Sequence, residues 1–248
     1  EPSYVFDYLR LYNGAGVSFV PADVGLGSMS VTVGEFGGDG TSTLTASSDV
    51  TLTAPAMPNV SLSVSSGGEL VMPAYLQVAG VTLTVAGKLS GVQNLTVVDS
   101  GVLDVSGDLA DVHNVTVGDG ADVTLRATGG TGLSEVGGAA GSYELSSLLI
   151  DGRTVVGATR SAEVWLMDGV NVSANEVLIE AGWLYTHGVT HVNASLLDIS
   201  ADGSVVGTGR SHTNDNEGPD SARYTAAADA TFYDGSTRYY KYYAAGSH

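Results

Sequence analysis

The sequence predicts an all-β chain, a right-handed parallel β-helix (solenoid) with short capping segments at both ends. Three observations predict it. Short runs alternate small polar residues with β-branched or other apolar ones, Gly, Asp or Ser ends each run, and similar runs return about 20 positions later.

In chain order, residues 1–27 read as an N-terminal cap or edge segment. Tyr4 to Tyr12 (YVFDYLRLY) carries three Tyr and suits the cover that an open coil end requires. Residues 28–206 read as coils. Their strands include Met29 to Val33 (MSVTV), Asn59 to Val64 (NVSLSV), Val81 to Val85 (VTLTV), Asn94 to Val97 (NLTV), Asn114 to Val117 (NVTV), Val177 to Ile179 (VLI) and Leu196 to Ile199 (LLDI). Large apolar residues fall at every second position, as in Val60, Leu62 and Val64, so they share one face that must be covered. Val60 precedes Val81 by 21 positions, and Leu95 precedes Val115 by 20, as Val177 does Leu197. Intermediate short strands, ELVM at 69–72 and VLDV at 102–105, lie within these spans, as a stacked coil of two or three strands requires. Gly pairs such as Gly37-Gly38 and Gly129-Gly130 read as corners with positive φ. Few windows show helical spacing. Residues 207–248 read as a polar loop, then a Tyr-rich segment that continues in a longer protein: Tyr224 to Tyr243 holds six of the twelve Tyr.

Composition narrows the function classes. The 248 residues include 9 Lys+Arg against 27 Asp+Glu, a formal charge of -18 that repels nucleic acid and anionic lipid. There is no Cys, so stability comes from packing rather than disulfides or thiolate metal sites. No apolar stretch approaches the roughly 18 residues of a helical membrane span.

The runs NVSLSV, NLTVVDSGVLDVSG and NVTVGDGADVTLRA resemble coils of right-handed parallel β-helix proteins of the pectin-lyase-like type. Residues 198–219 (DISADGSVVGTGRSHTNDNEGP) are similar to segments of large extracellular β-helix proteins. The resemblance covers about three quarters of the chain and implies architecture; it assigns no activity.

Among candidate sites, the acceptor triplet Asn-x-Ser/Thr occurs at Asn59, Asn94, Asn114, Asn171 and Asn193, five of the nine Asn, where chance in so Ser/Thr-rich a chain gives about two. On a strand the Asn and the hydroxyl point outward and the residue between points in. The excess therefore reads as N-glycosylation, or as Asn ladders on stacked coils. Asn214, Asp215, Asn216, Glu217 and Asp220 offer oxygen donors that calcium prefers, without EF-hand spacing; a solvated turn is the simpler reading and no cofactor is required. His187 and His191 lie four apart in a strand-like stretch, which separates them by roughly 13 Å, too far for one zinc ion. Asp99, Asp104, Asp108 and Asp119 could supply acid catalysis, yet no spacing singles out a pair, and Lys88 is the lone cation between Thr41 and Leu125, which disfavours polyanionic sugar substrates. Trp165 and Trp183, 18 apart, could stack one coil apart as a sugar platform or pack laterally. Tyr239, Tyr240, Tyr242 and Tyr243 are candidate contact aromatics.

These features give the expectation of an extracellular, cell-surface, glycosylated structural or adhesive protein without catalytic activity. Its partners would be covalent glycans and either itself, as a filament or sheath subunit, or a neighbouring matrix protein. A carbohydrate-binding surface module or a β-helix polysaccharide-degrading enzyme is the alternative.

Overall fold

The computed structural model describes residues 2–21, 27–57, 59–128, 141–152, 162–188 and 190–208, together with the backbone of residues 224–225, 232–233, 239–240 and 243–244. The chain is a parallel β-helix, and no helix occurs among the described residues.

The first coils consist of β1 (Ser3–Leu11), β2 (Gly16–Phe19), β3 (Met29–Gly38), β4 (Thr43–Ala46), β5 (Val50–Thr53) and β6 (Ser61–Val64). Three-strand coils follow: β7 (Glu69–Val71), β8 (Tyr75–Ala79) and β9 (Thr82–Val85), then β10 (Lys88–Ser90), β11 (Asn94–Val98) and β12 (Val102–Val105), then β13 (Asp108–Leu109), β14 (Asn114–Gly118) and β15 (Asp122–Leu125). The last coils contain the longer strands β16 (Ser142–Asp151), β18 (Asn171–His187) and β19 (His191–Thr208), with the short β17 (Ala162–Leu166) between β16 and β18. Beyond them, the short strands β20 (Tyr224–Thr225), β21 (Phe232–Tyr233), β22 (Tyr239–Tyr240) and β23 (Tyr243–Ala244) form two antiparallel pairs, β20 with β23 and β21 with β22.

Two parallel sheets wind around the core, one of six strands (β1-β3-β5-β7-β10-β13) and one of thirteen. The larger is two rows joined. The first half of β18 pairs with β16 and its second half with β17, so one strand closes the corner between a β8-β11-β14-β16 row and a β2-β4-β6-β9-β12-β15-β17 row.

Coil stacking puts like residues on like. Val17, Leu44, Leu62, Leu83, Leu103, Val123, Val164, Leu184 and Val205 are successive register partners, a continuous aliphatic column. Val78, Val97, Val117, Ile150, Ile179 and Ile199 make a second column, on the neighbouring row. Leu83, Leu103 and Val164 are fully buried, and each such side chain contributes roughly 1.5–3 kcal/mol. The expected partners Leu95 with Val115 and Val177 with Leu197 are in register, and Leu62 with Leu83 shares the 21-residue offset read from Val60 and Val81.

The N-terminal segment takes the edge-strand alternative: β1 pairs in parallel with β3, and Tyr4 and Phe6 align with the buried Val31 and Val33. With no coil outside it among the described residues, Tyr4 stays 50% exposed and the Phe6 ring stacks on Phe19 with centroids 6.0 Å apart. Asp39 ties the first two coils together at their turns. Its carboxylate accepts the Asn13 N–H (2.6 Å) and the Thr41 N–H and hydroxyl (3.0 and 2.8 Å). These donors, the Asn13 amide foremost, push its pKa down to about 2.

Glycines with positive φ hold corners as expected, among them Gly40, Gly67 and Gly120, while Gly129-Gly130 lies outside the described residues and Gly37-Gly38 departs from the expectation. Gly37-Gly38 ends β3 as extended backbone, and a Cβ on Gly38 would overlap the Val60 side chain and the Asn59 carbonyl. Left-handed corners are held as well by Asn13, Asp49, Asp99, Ser100, Asp111 and Asp119, whose short polar side chains tolerate that region. A further corner stacks Gly68, Gly87 and Gly107. The Gly68 carbonyl accepts Lys88 N–H (2.9 Å) and the Gly87 carbonyl accepts Asp108 N–H (2.7 Å), which draws each carbonyl under the next glycine, where no Cβ fits. Gly107→Ala is expected to destabilise the fold by about 1–3 kcal/mol in chemical denaturation. Gly16→Ala, whose Cβ would sit at an ordinary 3.6 Å from Thr43 Oγ1, is expected to be neutral or slightly stabilising; equal effects would refute close approach as the reason for glycine at 107.

Candidate functional site

The most distinctive outer surface lies on the β15-β17-β18-β19 stretch of the larger sheet. Alternation in AEVWL (162–166) buries Ala162, Val164 and Leu166 and turns Glu163 and Trp165 outward. In the next coil, alternation buries Leu184 and Thr186 and turns Trp183 and Tyr185 outward. Gly182 delivers this strand to the sheet: its φ of +137° is open to glycine, and a Cβ there would collide with the Ala162 carbonyl and Ile150.

The registers then assemble a cluster. Trp165 aligns with Tyr185, and their rings stack with centroids 3.9 Å apart and planes within 13°. Trp183 lies beside Tyr185, centroids 5.9 Å apart and planes within 11°. It is 37% exposed, because its neighbour in the following coil is the small Ser204. The two Trp do not stack on each other, contrary to what their spacing of 18 offered. The local repeat is 20, as the Trp165–Tyr185 register shows, so Trp183 falls one pleat to the side and Tyr185 bridges the pair.

Carboxylates border the rings. Asp122, Glu163 and Trp183 are consecutive register partners, and Trp165 Nε1 donates to Glu163 Oε2 at 3.1 Å. Partial burial first, and then the charge of Glu163, push the Asp122 carboxyl above the usual carboxylate range; the same two causes raise the Tyr185 phenol. Arg126, at the end of the Asp122 strand, is engaged by Asp104 in a two-bond pair of 2.7 and 2.8 Å. The sequence reading missed Tyr185, Glu163 and Asp122. The signal was present in the alternation of E-x-W and W-x-Y, which puts each pair on one face.

The other candidate residues are scattered. Asn94 and Asn114 are register partners on the β8-β11-β14 row, and Asn114 Nδ2 donates to Asn94 Oδ1 at 2.8 Å, the ladder geometry foreseen as the alternative to glycosylation. Asn59 is exposed, with Nδ2 3.5 Å from the Gly38 carbonyl; Asn171 is half-buried and Asn193 exposed. In the triplets the middle residues Val60, Leu95, Val115 and Val172 are buried, so each Asn points outward. Asn193 borders a shallow concavity of about 250 Å³ across β16, β18 and β19, lined also by Glu144, Ser173, Asn175 and Ser195.

Asp99 and Asp119 occupy corners, Asp104 faces Arg126, and Asp108 is buried in β13, so the four acids do not converge. His187 ends β18 opposite Thr208, while His191 begins β19 opposite Asn171. No group of three or more His, Asp or Glu suited to a metal ion occurs among the described residues. Asn214, Asp215, Asn216, Glu217, Asp220 and Tyr242 lie outside the described residues, and Tyr239, Tyr240 and Tyr243 are described as backbone of β22 and β23.

Comparisons against family models, curated proteins and solved structures gave no match to this chain.

What the cluster offers chemically is stacked, partly open ring surface with hydrogen-bond acceptors along one side. Glu163→Gln removes one of the two influences on Asp122 while keeping an acceptor for Trp165. The Asp122 carboxyl is expected to titrate at lower pH in this variant, though still above an unhindered aspartate because burial remains, as followed by carboxyl-carbon NMR. The sign follows from the ionised form of Asp122 being the disfavoured one: folded-state stability gained as pH falls through its raised pKa shrinks in the variant. An unchanged or higher midpoint would contradict the placement of Glu163 beside Asp122.

Proposed function

We propose that this chain is a non-catalytic, extracellular adhesive β-solenoid that binds polysaccharide through the Trp165–Tyr185–Trp183 strip, with N-linked glycans on its outward asparagines. The observation that carries the reading is the strip itself. Three rings whose planes run nearly parallel stand on the solvent side of a rigid parallel sheet, and Trp183 is more than a third exposed. Large aromatic area kept open to water needs a reason, and the apolar C–H faces of pyranose rings match it. Glu163 and Asp122 add acceptors for sugar hydroxyls. A coil-on-coil scaffold holds these groups without induced fit, which limits the ordering cost of binding.

Binding of cellulose, chitin and soluble glucans, measured by depletion and affinity electrophoresis, tests the reading. Trp183→Ala and Trp165→Ala are each expected to weaken retention roughly tenfold with an unchanged circular dichroism spectrum. Retention indifferent to both substitutions, or steady release of reducing ends from any of these polymers, would sink the proposal.

A second reading, self-association into a filament or sheath, is favoured by one observation. β1 is a nine-residue edge strand with Val5 71% and Tyr8 62% exposed. Such an edge is a template for strand addition by another copy. Ser30 N–H donates to the Pro2 carbonyl (3.0 Å), so ladder alternation turns the Val5 N–H outward, away from β3. Val5→Pro therefore deletes an outward donor and leaves the β1–β3 ladder intact. Under this reading light scattering shows concentration-dependent oligomers for the native chain and monomers for Val5→Pro; native monomers at all concentrations would refute it.

A further inference from the structure

The following inference rests on the reading of the ring strip as a sugar-binding face and concerns which sugar it takes. We propose that its ligand is an amine-bearing polysaccharide, a chain of unacetylated hexosamine, whose ring faces pack on Trp183 and the Trp165–Tyr185 stack while its ammonium groups pair with Glu163 and Asp122.

The argument is one of charge against shape. The rings define a surface for the apolar face of a pyranose, as they would for any sugar. The column Asp122, Glu163, Trp183 is what discriminates, because parallel pairing sets its members on adjacent strands roughly 4.8 Å apart. Two carboxylates thus stand side by side next to the exposed indole. Glu163 is oriented by the indole N–H of Trp165, so its second oxygen stays available to a ligand. Among the described residues, the cation nearest in sequence, Arg126, is committed to Asp104 through both of its bonds, and Lys88 lies against Glu69 at 3.4 Å on the smaller sheet.

A polyuronate would set like charges against this column and against a chain of formal charge -18. A neutral sugar would stack on the rings and leave two adjacent carboxylates in mutual repulsion. An ammonium relieves that repulsion and forms charge-assisted hydrogen bonds to both. The upward displacement of the Asp122 carboxyl, caused by partial burial and then by Glu163, agrees with the two carboxyls lying close enough to repel.

Affinity electrophoresis and calorimetry with glucosamine oligomers, the same oligomers fully N-acetylated, and oligogalacturonate test this at one mildly acidic pH where the free amine is protonated. The native chain is expected to bind the free-amine oligomers roughly three- to tenfold more tightly than the acetylated ones, with oligogalacturonate weakest and added salt narrowing the gap. Glu163→Gln and Asp122→Asn should each reduce the preference, and the double variant should bring free-amine and acetylated oligomers to equal affinity.

Equal binding of free-amine and acetylated oligomers, both lost in Trp183→Ala, would overturn the amine selectivity and leave the ring strip as a sugar site. A preference that survives the double variant would likewise overturn the roles of Glu163 and Asp122. No binding of any oligomer by the native chain would overturn the sugar-binding reading and this inference with it.

Discussion

The structure depends on one constraint: an inward side chain in a parallel solenoid is covered by its counterparts in the coils above and below and by the facing sheet across a single core. The columns that start at Val17 and at Val78 are the result. Because each coil contributes the same position to the same column, the ladder hydrogen bonds and the apolar contacts specify one register together, and slipping a strand by one residue would expose a whole column. The corners obey the same constraint. Where a carbonyl must accept from the next coil, as at Gly68 and Gly87, the approaching backbone leaves no room for a Cβ, so glycine is selected by proximity rather than by φ.

The stacking that buries the inner columns also builds outer ones. Outward residues about 20 apart become lateral neighbours, which is how Trp165 meets Tyr185 and how Asn114 meets Asn94. The two outcomes differ in kind. The asparagines satisfy each other through a side-chain ladder, whereas the rings stay partly open and sit beside carboxylates, while Arg126 is held by Asp104. Surface chemistry on this fold is therefore a matter of which residue types the coil repeat brings side by side, and the scaffold supplies the rigidity. An exposed edge at β1 follows from the same geometry, since among the described residues no strand pairs with its outer side.

Much of this was legible in the residues. The alternation in NVSLSV and NLTV, and the recurrence of Leu95 at Val115, are direct consequences of a strand period of two and a coil length near 20, so the all-β solenoid and its buried faces could be read without coordinates. The outward direction of the Asn-x-Ser/Thr triplets followed from the same period: the middle residues Val60, Leu95, Val115 and Val172 are buried and Ala194 is half-buried. The ring cluster was half legible. Trp165 and Trp183 stood out as large aromatics about one coil apart, but Tyr185, Glu163 and Asp122 looked like ordinary residues of short strands.

The amino-acid sequence by itself determined the strand period, a coil length near 20 in the regular middle coils and which side chains face in, because those are local properties of alternating residues between turns. Tertiary structure alone decided lateral neighbourhood. The repeat lengths are unequal, 20 residues from Trp165 to Tyr185 but 33 from Asn114 to Ser147, and a change of two residues in any coil moves a side chain one pleat sideways. That is why Trp183 lies beside Tyr185 and next to Glu163 instead of on Trp165, and why the stacked indole-phenol pair with its adjoining carboxylates emerges only when the coils are wound.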